Sequence, residues 1–286
     1  MRVLIVIKSS FLESHGSDRK GLARLDSADR ARLTRADRDN RRALAELTAC
    51  LDGLGVAADV VRRGDLAARR RYSLAISLGG DGTFFAAARY IRETPILGIN
   101  SDPVNSLGLW TCADRSNFRE PLERALAGKL RTTPIRRMEI VVNGATLPEL
   151  AFNDVLVAHR NPAAMTRYRL GAAGATEDHR SSGVWVSTPA GSTAGIRSAG
   201  GTRMAVTSAR LQYLVREPYT WPRRYRLVHG FVPRLSLMAL TVGLRLWIDG
   251  SRVRYDMGLG DRAELRIGPP LLVLGYDEGR RRSLFP

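Results

Sequence analysis

The apolar positions of this chain keep two rhythms, and the change falls near residue 132. Residues 3–7 are a continuous apolar, β-branched run, the pattern of a strand buried on both faces. A polar stretch, residues 13–37, follows with no firm period and is open to reading as a loop, a flap or a partial helix. Residues 40–53 predict an amphipathic helix, because Leu44, Leu47 and Leu51 recur at i, i+3 and i+7, and Gly53 and Gly55 punctuate its end. Strands are expected at 57–61, 74–78 and 96–99. A glycine-rich turn, 79–83, and a helix, 84–91, separate the last two. That order predicts an α/β domain with a mostly parallel, Rossmann-like sheet.

From about residue 132 the segments become short, alternating and β-branched: 137–142, 152–158, 168–170, 184–187, 227–232, 237–242, 245–248 and 263–267. Asn143-Gly144 and Asp249-Gly250 are dipeptides that favour tight hairpins. The expectation is an all-β domain, a sandwich or barrel-like array. A final strand at 271–276 is expected to return to the first domain. The predicted division is therefore 1–131 as an α/β nucleotide-binding domain, 132–268 as a β-rich domain, and 269–286 as the returning segment.

Composition narrows the chemistry. Two cysteines, Cys50 and Cys112, cannot build a disulfide framework, and neither has a partner at zinc-ligand spacing. The four histidines are scattered, with no i,i+4 pair, so no protein-held structural metal is expected. No apolar stretch reaches the roughly 20 residues of a spanning helix, and the opening apolar run stops at Lys8. A soluble, cytoplasmic protein that engages no membrane is the expectation. The formal net charge is +17, which points to nucleic acid, an anionic surface or polyanionic small ligands. Most of the basic residues are arginines spread along the chain, and no helix-turn-helix, zinc finger or RNP-like run accompanies them. An arginine-rich surface that attracts nucleotides, with no specific nucleic-acid partner, is the better reading.

Three segments carry chemistry. Gly79-Gly80-Asp81-Gly82-Thr83 lies where a parallel strand would end, the place where α/β sheets bind ligands. An Asp-Gly turn is the plain reading, yet a turn needs one glycine and this one has three. Glycines let a backbone approach phosphate oxygens, and the helix that follows offers N–H groups to anions. A carboxylate in such a loop would repel phosphate unless it has work, such as accepting a hydroxyl proton or helping to hold magnesium. The second segment runs from Ser181-Ser182-Gly183 through Ser187-Thr188-Pro189-Ala190-Gly191-Ser192-Thr193-Ala194 to Ser198. Its small and hydroxylated side chains admit a flat base or a ribose. It is neither a Walker A loop nor a hydrolase elbow, since it has no Gly-Lys-Ser/Thr and Ala190 stands two residues before Ser192. The third is Asn153-Asp154 before an apolar run. Alone it reads as a turn; beside the others it offers an amide for base edges and a carboxylate for ribose hydroxyls.

Together the three segments resemble the NAD kinase family. Gly79–Thr83 matches its Gly-Gly-Asp-Gly-Thr motif, Asn153-Asp154 its Asn-Glu/Asp pair, and Ser187–Ala194 its Ser-Thr-Pro-x-Gly-Ser-Thr-Ala loop. Asn100-Ser101-Asp102-Pro103 with Ser106 and Gly108, Ser181-Ser182-Gly183, and Arg216-Glu217-Pro218 resemble the mitochondrial-type branch in particular. The resemblance spans nearly the whole chain, from the first strand to about residue 268. It implies a two-domain enzyme with its active site in the cleft between an α/β and a β-rich, NAD-binding domain, and a homodimer. It also implies ATP and NAD as substrates, Mg²⁺ as the accompanying ion, and phosphorylation of the adenosine ribose 2′-hydroxyl to give NADP. Carried over by motif, Asp81 becomes the catalytic carboxylate, with Gly80, Gly82 and Thr83 in the phosphate turn. Asn153 and Asp154 would hold the NAD nucleosides. Thr193, Ala194 and Ser198 would line the adenine pocket, and Ser182 and Thr188 join the same binding set. Two positions depart from the common pattern: Gly195 stands where an aromatic residue is usual, and Ser182 where Asp is, although the mitochondrial-type branch shares the serine. Trp185 is a candidate for the missing flat face. A lipid kinase of the diacylglycerol or sphingosine type, which also carries the glycine turn, and a nucleotide-binding protein without turnover remain as alternatives.

Overall fold

The computed structural model describes residues 1–16, 18–66, 72–221 and 224–285. The chain forms two compact units: Met1–Thr133 with Leu272–Leu284, and Pro134–Leu271.

The first unit begins β1 (Arg2–Ile7), α1 (Phe11–His15), α2 (Arg19–Arg24), α3 (Ser27–Gly53), β2 (Ala57–Arg62), β3 (Leu74–Leu78), α4 (Asp81–Tyr90), β4 (Ile96–Asn100), β5 (Ala113–Asp114) and α5 (Arg119–Leu126). β2, β1, β3 and β4 lie side by side in that order, all parallel, with β5 extending β4. Every residue of β3 and β4 is buried, the burial expected of central parallel strands covered on both faces. Val3, Ile5, Ile76, Leu97 and Ile99 pack with Ala43, Leu47 and Leu51 of α3 and Leu122 of α5.

The polar stretch at 13–37 is largely helical. α3 runs for 27 residues, and only Ala43, Leu47 and Leu51 are buried, so its front half has no apolar stripe to reveal it. Local polar chemistry holds that half. The Asp26 carboxylate accepts the Asp29 N–H at 2.7 Å as N-cap, and Arg41 pairs with Asp37 at 3.0 Å. The Ser10 hydroxyl also donates to Asp37, and the Ser101 hydroxyl donates to Asn40 Oδ1 at 2.5 Å.

The second unit contains β6 (Thr132–Val142), β7 (Ala145–Thr146), β8 (Asp154–His159), β9 (Thr166–Ala172), β10 (Ala175–Ser181), β11 (Gly183–Ser187), a 3₁₀ turn (Ala190–Thr193) and α6 (Gly195–Ser198). β12 (Leu211–Arg216), β13 (His229–Val232), β14 (Arg234–Ala239), β15 (Leu244–Ile248), β16 (Val253–Met257) and β17 (Arg262–Leu274) follow. One antiparallel sheet has the order β13-β12-β11-β8-β15-β16; β10, β9, β14 and β17 form a second antiparallel array. Their inner faces share one core, with Val155, Val157, Val186 and Leu246 from the first and Tyr168, Leu170, Leu237 and Leu265 from the second. Burial alternates residue by residue along β9 and β14, as in a sandwich. The expected strands at 263–267 and 271–276 are one continuous strand, β17, whose last residues Val273 and Leu274 pair in parallel with Ile96 and Leu97. The chain ends in α7 (Glu278–Leu284).

Candidate active site

β3 delivers the chain into the glycine turn at its carboxyl end. Gly79 has φ 154°, and a Cβ there would lie 2.9 Å from Thr83 Cβ, so only glycine lets the backbone fold over the Thr83 side chain. Gly80 is the N-cap of α4 and supplies no side-chain cap. The first N–H groups of the helix, those of Asp81 and Gly82, therefore have no intrahelical acceptor and are available to an anion. Beneath the turn the Ser77 and Thr83 hydroxyls are buried with no hydrogen-bond partner, a cost of about 1–3 kcal/mol each that ordinary packing avoids.

Asp81 is the first residue of α4, and its carboxylate is fixed in place. Oδ1 accepts the Trp110 N–H at 2.9 Å and Oδ2 the Leu109 N–H at 3.1 Å. Burial pushes its pKa above the usual carboxylate range; the two N–H groups and the charge of Arg280 pull it back. An oriented carboxylate of raised basicity is what a general base requires. The loop that presents Leu109 and Trp110 is set by Asn100, whose amide donates to Ser106 O at 3.1 Å and accepts the Asp102 N–H at 3.1 Å. Trp110 stacks between Phe84 and Tyr276, with ring centroids 5.9 and 5.2 Å away. Two cations belong to the same region. Burial lowers the pKa of Lys8, which also feels Asp102 and Arg63, and Arg63 Nη1 would lie 3.6 Å from a Cβ on Gly82.

In the second unit Asn153 and Asp154 stand at the start of β8, 7% and 6% exposed. Asp249, at the tip of the turn after β15, accepts the N–H groups of Phe152, Asn153 and Asp154 at 3.0, 2.7 and 3.2 Å. Those donors are thereby taken. Among the described residues the Asp154 carboxylate accepts no hydrogen bond, and burial with the Asp249 charge raises its pKa to about 7. The Ser187–Ala194 loop packs directly on this pair: a Cβ on Gly191 would fall inside the Asn153 backbone, and the Thr188 N–H donates to Asn153 O at 2.8 Å. Thr188 is fully buried and uses its hydroxyl to join Phe152 O to the Gly191 N–H, which secures the loop. Thr193 and Ala194 are half-buried beyond it, and Ser198, at the end of α6, is exposed. A Cβ on Gly195 would lie 3.3 Å from the Trp185 ring and 3.7 Å from Asp154 Oδ2. Trp185 thus puts an aromatic ring beside the position where the side chain is absent. Ser182 precedes β11, whose far end at Ser187 pairs with Asp154. A strand of that length separates Ser182 from the Asn153-Asp154 cluster by roughly 16 Å.

Comparison with known proteins decides the family. The ATP-NAD kinase N-terminal domain family matches residues 21–130. A probable NADH kinase of Oryza sativa subsp. japonica is 34% identical over 226 residues, covering 70% of this chain and 69% of that protein. The chain belongs to the NAD kinase family. The fold agrees. An NAD kinase from Archaeoglobus fulgidus, solved in complex with ATP, superposes with TM-score 0.71 at 22% identity, over 99% of this chain and 97% of that one. A yeast NADH kinase solved with NADH gives TM-score 0.75 at 15% identity, over 99% and 86%.

Several groups at these sites were not legible beforehand. Asp249 reads as a hairpin residue, and the Asp-Gly dipeptide accounts for it so well that nothing marks its second task. Leu109 and Trp110 act through backbone N–H groups, which no side-chain pattern reveals. Lys8 ends the apolar run of β1, and Arg63 follows β2; both positions at the carboxyl ends of parallel strands were the available signal.

Proposed function

We propose that this chain transfers the γ-phosphoryl group of ATP to the 2′-hydroxyl of the adenosine ribose in NAD, giving NADP and ADP. The observation that carries the reading is the half-buried Asp81 carboxylate at the first position of α4, held by two backbone N–H groups in a turn of glycines. Asp81 takes the hydroxyl proton as the ribose oxygen bonds to the γ-phosphorus and the bond to the ADP oxygen breaks. The N–H groups of Asp81 and Gly82, with Lys8 and Arg63, offset charge on the phosphoryl oxygens. Gly80 and Thr83 complete the turn.

Among the described residues no group of three or more His, Cys, Asp or Glu is placed to hold a metal. Gly80–Thr83 would hold the phosphates of a triphosphate that carries a magnesium ion. Bound there, the ion would offset phosphate charge.

In the same proposal Asp154 accepts ribose hydroxyls, Asn153 reads a base edge, and Thr193, Ala194, Ser182 and Ser198 complete the nucleoside contacts. The Trp185 ring, 3.3 Å from the Gly195 Cβ position, supplies a stacking face. The proposal further treats 1–131 as the nucleotide-binding domain, 132–268 as the NAD-binding domain and 269–286 as a segment returning to the first. It includes a cytoplasmic homodimer with no nucleic-acid or membrane partner; no described helix is long and apolar enough to cross a membrane.

The test is direct. Purified protein with NAD and ATP-Mg²⁺ should yield NADP, read with a dehydrogenase that accepts NADP alone, while a diacylglycerol or sphingosine acceptor run beside it should stay unphosphorylated. Asp81→Asn should fold normally and lose about 10²–10⁴-fold in kcat. Wild-type turnover in that variant would remove Asp81 from the role of base.

A further inference from the structure

The arginine run near the end of the chain, Arg280-Arg281-Arg282, reads from sequence as a solvated tail, with a phosphate contact as the alternative. The structure differs: Arg281 is fully buried, and Arg280, though exposed, is bonded at both ends of its guanidinium. Arg280 Nη1 donates to Thr111 O at 3.0 Å and Nη2 to Leu107 O at 2.7 Å. These two carbonyls bracket Leu109 and Trp110, the residues whose N–H groups hold Asp81.

The arginine is itself fixed. Asp277 Oδ1 accepts the Gly279 and Arg280 N–H groups at 2.8 and 3.2 Å, starting α7. Tyr276 packs against Trp110, and its hydroxyl donates to Glu278 at 2.6 Å. The Gly275 N–H, donating to Arg131 O at 2.9 Å, anchors the strand end before it. A planar fork of donors suits two carbonyls in a fixed relation; an ammonium on a flexible stem does not hold that geometry.

We propose that Arg280 is a positioning residue for phosphoryl transfer, bracing the 107–111 loop from the carboxyl-terminal helix so that its N–H groups aim the Asp81 carboxylate. The proposal rests on the kinase reading and deepens it. Arg280 acts through the loop and through its charge. The loop holds the direction of the carboxylate, and the positive charge works against the burial that raises the Asp81 pKa. The first turn of α7 thus becomes part of the catalytic apparatus without touching substrate.

Arg280→Met and Arg280→Lys separate the two effects. Amide hydrogen exchange of the 107–111 segment, measured without substrate, should quicken about tenfold in both variants, the loss expected for hydrogen bonds from a charged group to two carbonyls. With NAD and ATP-Mg²⁺, kcat should fall about tenfold in both while the KM for NAD stays within about twofold. The acid limb of the kcat–pH profile should move to higher pH in Arg280→Met and return to its wild-type position in Arg280→Lys, which keeps the cation. Wild-type exchange, or a lower kcat with no such limb shift in Arg280→Met, would overturn the proposal. So would faster exchange spread over the whole chain with a general loss of thermal stability, the mark of a purely structural residue. If Arg280→Met does not fold, exchange and kcat in Arg280→Lys decide. Should the wild type make no NADP, the kinase reading fails by that result, and the exchange data still show whether the brace exists.

Discussion

Replacing Asp154 by Asn should make the protein more stable at pH 8 and poorer at holding NAD. The wild-type carboxyl is buried beside Asp249, and its pKa rises from 3.8 to about 7. At about 1.4 kcal/mol per pH unit, that displacement corresponds to roughly 4 kcal/mol of destabilisation once the group is ionised. Relaxation around the charge should reduce the measured value to roughly 2–4 kcal/mol. The folded value lies above the unfolded one, so the folded state keeps a proton that the unfolded chain has released between pH 4 and 7. Its contribution to stability is complete below pH 4, declines as pH rises through 7, and is gone above that. Asn cannot titrate. Urea unfolding of both proteins at pH 5, 6, 7 and 8 should therefore show a difference that grows with pH and levels off by pH 8, with other titrations cancelling. The KM for NAD at pH 8 should rise about tenfold, because Asn offers one acceptor oxygen where the carboxylate offers two. A stability difference that is constant from pH 5 to 8, or a wild type more stable than the variant at pH 8, would refute the account.

Asp249→Ala leaves three backbone N–H groups without their acceptor, and unfolding by denaturant should report a loss of several kcal/mol, at about 1–3 kcal/mol per buried donor. The same change removes the charge facing Asp154, so the Asp154 pKa should fall; NMR titration of the carboxyl would show it, and an unmoved value would contradict the assignment of its cause. Gly191→Ala puts a methyl group into the Asn153 backbone. Its KM for NAD should rise by about tenfold or more, with the KM for ATP unchanged, because the loop and Asn153 must move apart; equal shifts in both constants would argue against a local effect.

How much could be read from sequence depended on whether a residue's side chain carried the signal. β3 and β4 are continuous apolar runs, and every residue in them is buried, so pattern and structure coincide. The back half of α3 shows the leucine period; the front half is held by an Asp cap and ion pairs, which leave no hydrophobic trace. β10 is polar at the edge of its array, with only His179 and Ser181 buried, tied to β9 by pairs such as Arg169 with Asp178 at 2.6 Å, and no apolar alternation marks it. Asp81 stands out in the sequence because a carboxylate among glycines calls for a reason, and Asp154 stands out only beside the other two segments. Asp249 was hidden by an adequate local explanation, and Arg280 by the habit of charged termini to lie in water.

The two proposed site carboxylates, Asp81 half-buried and Asp154 buried, show how different surroundings suit different work. Asp81 is supplied with two backbone donors and a nearby guanidinium, so it keeps its direction and much of its acidity in a partly dry place. Asp154 is deprived of donors, because the three N–H groups closest in sequence already serve Asp249. A carboxyl with a pKa of about 7 and open acceptor sites gains most from a ligand that brings hydroxyl donors, and binding one would draw its pKa down. On the proposed reading, the fold leaves hydrogen bonds unmet at Asp154, where a ribose would satisfy them, and meets them at Asp81, where a proton would be accepted. Exchanging the two environments while keeping both aspartates would give a base that binds hydroxyls without orientation and a ribose acceptor already occupied by the backbone.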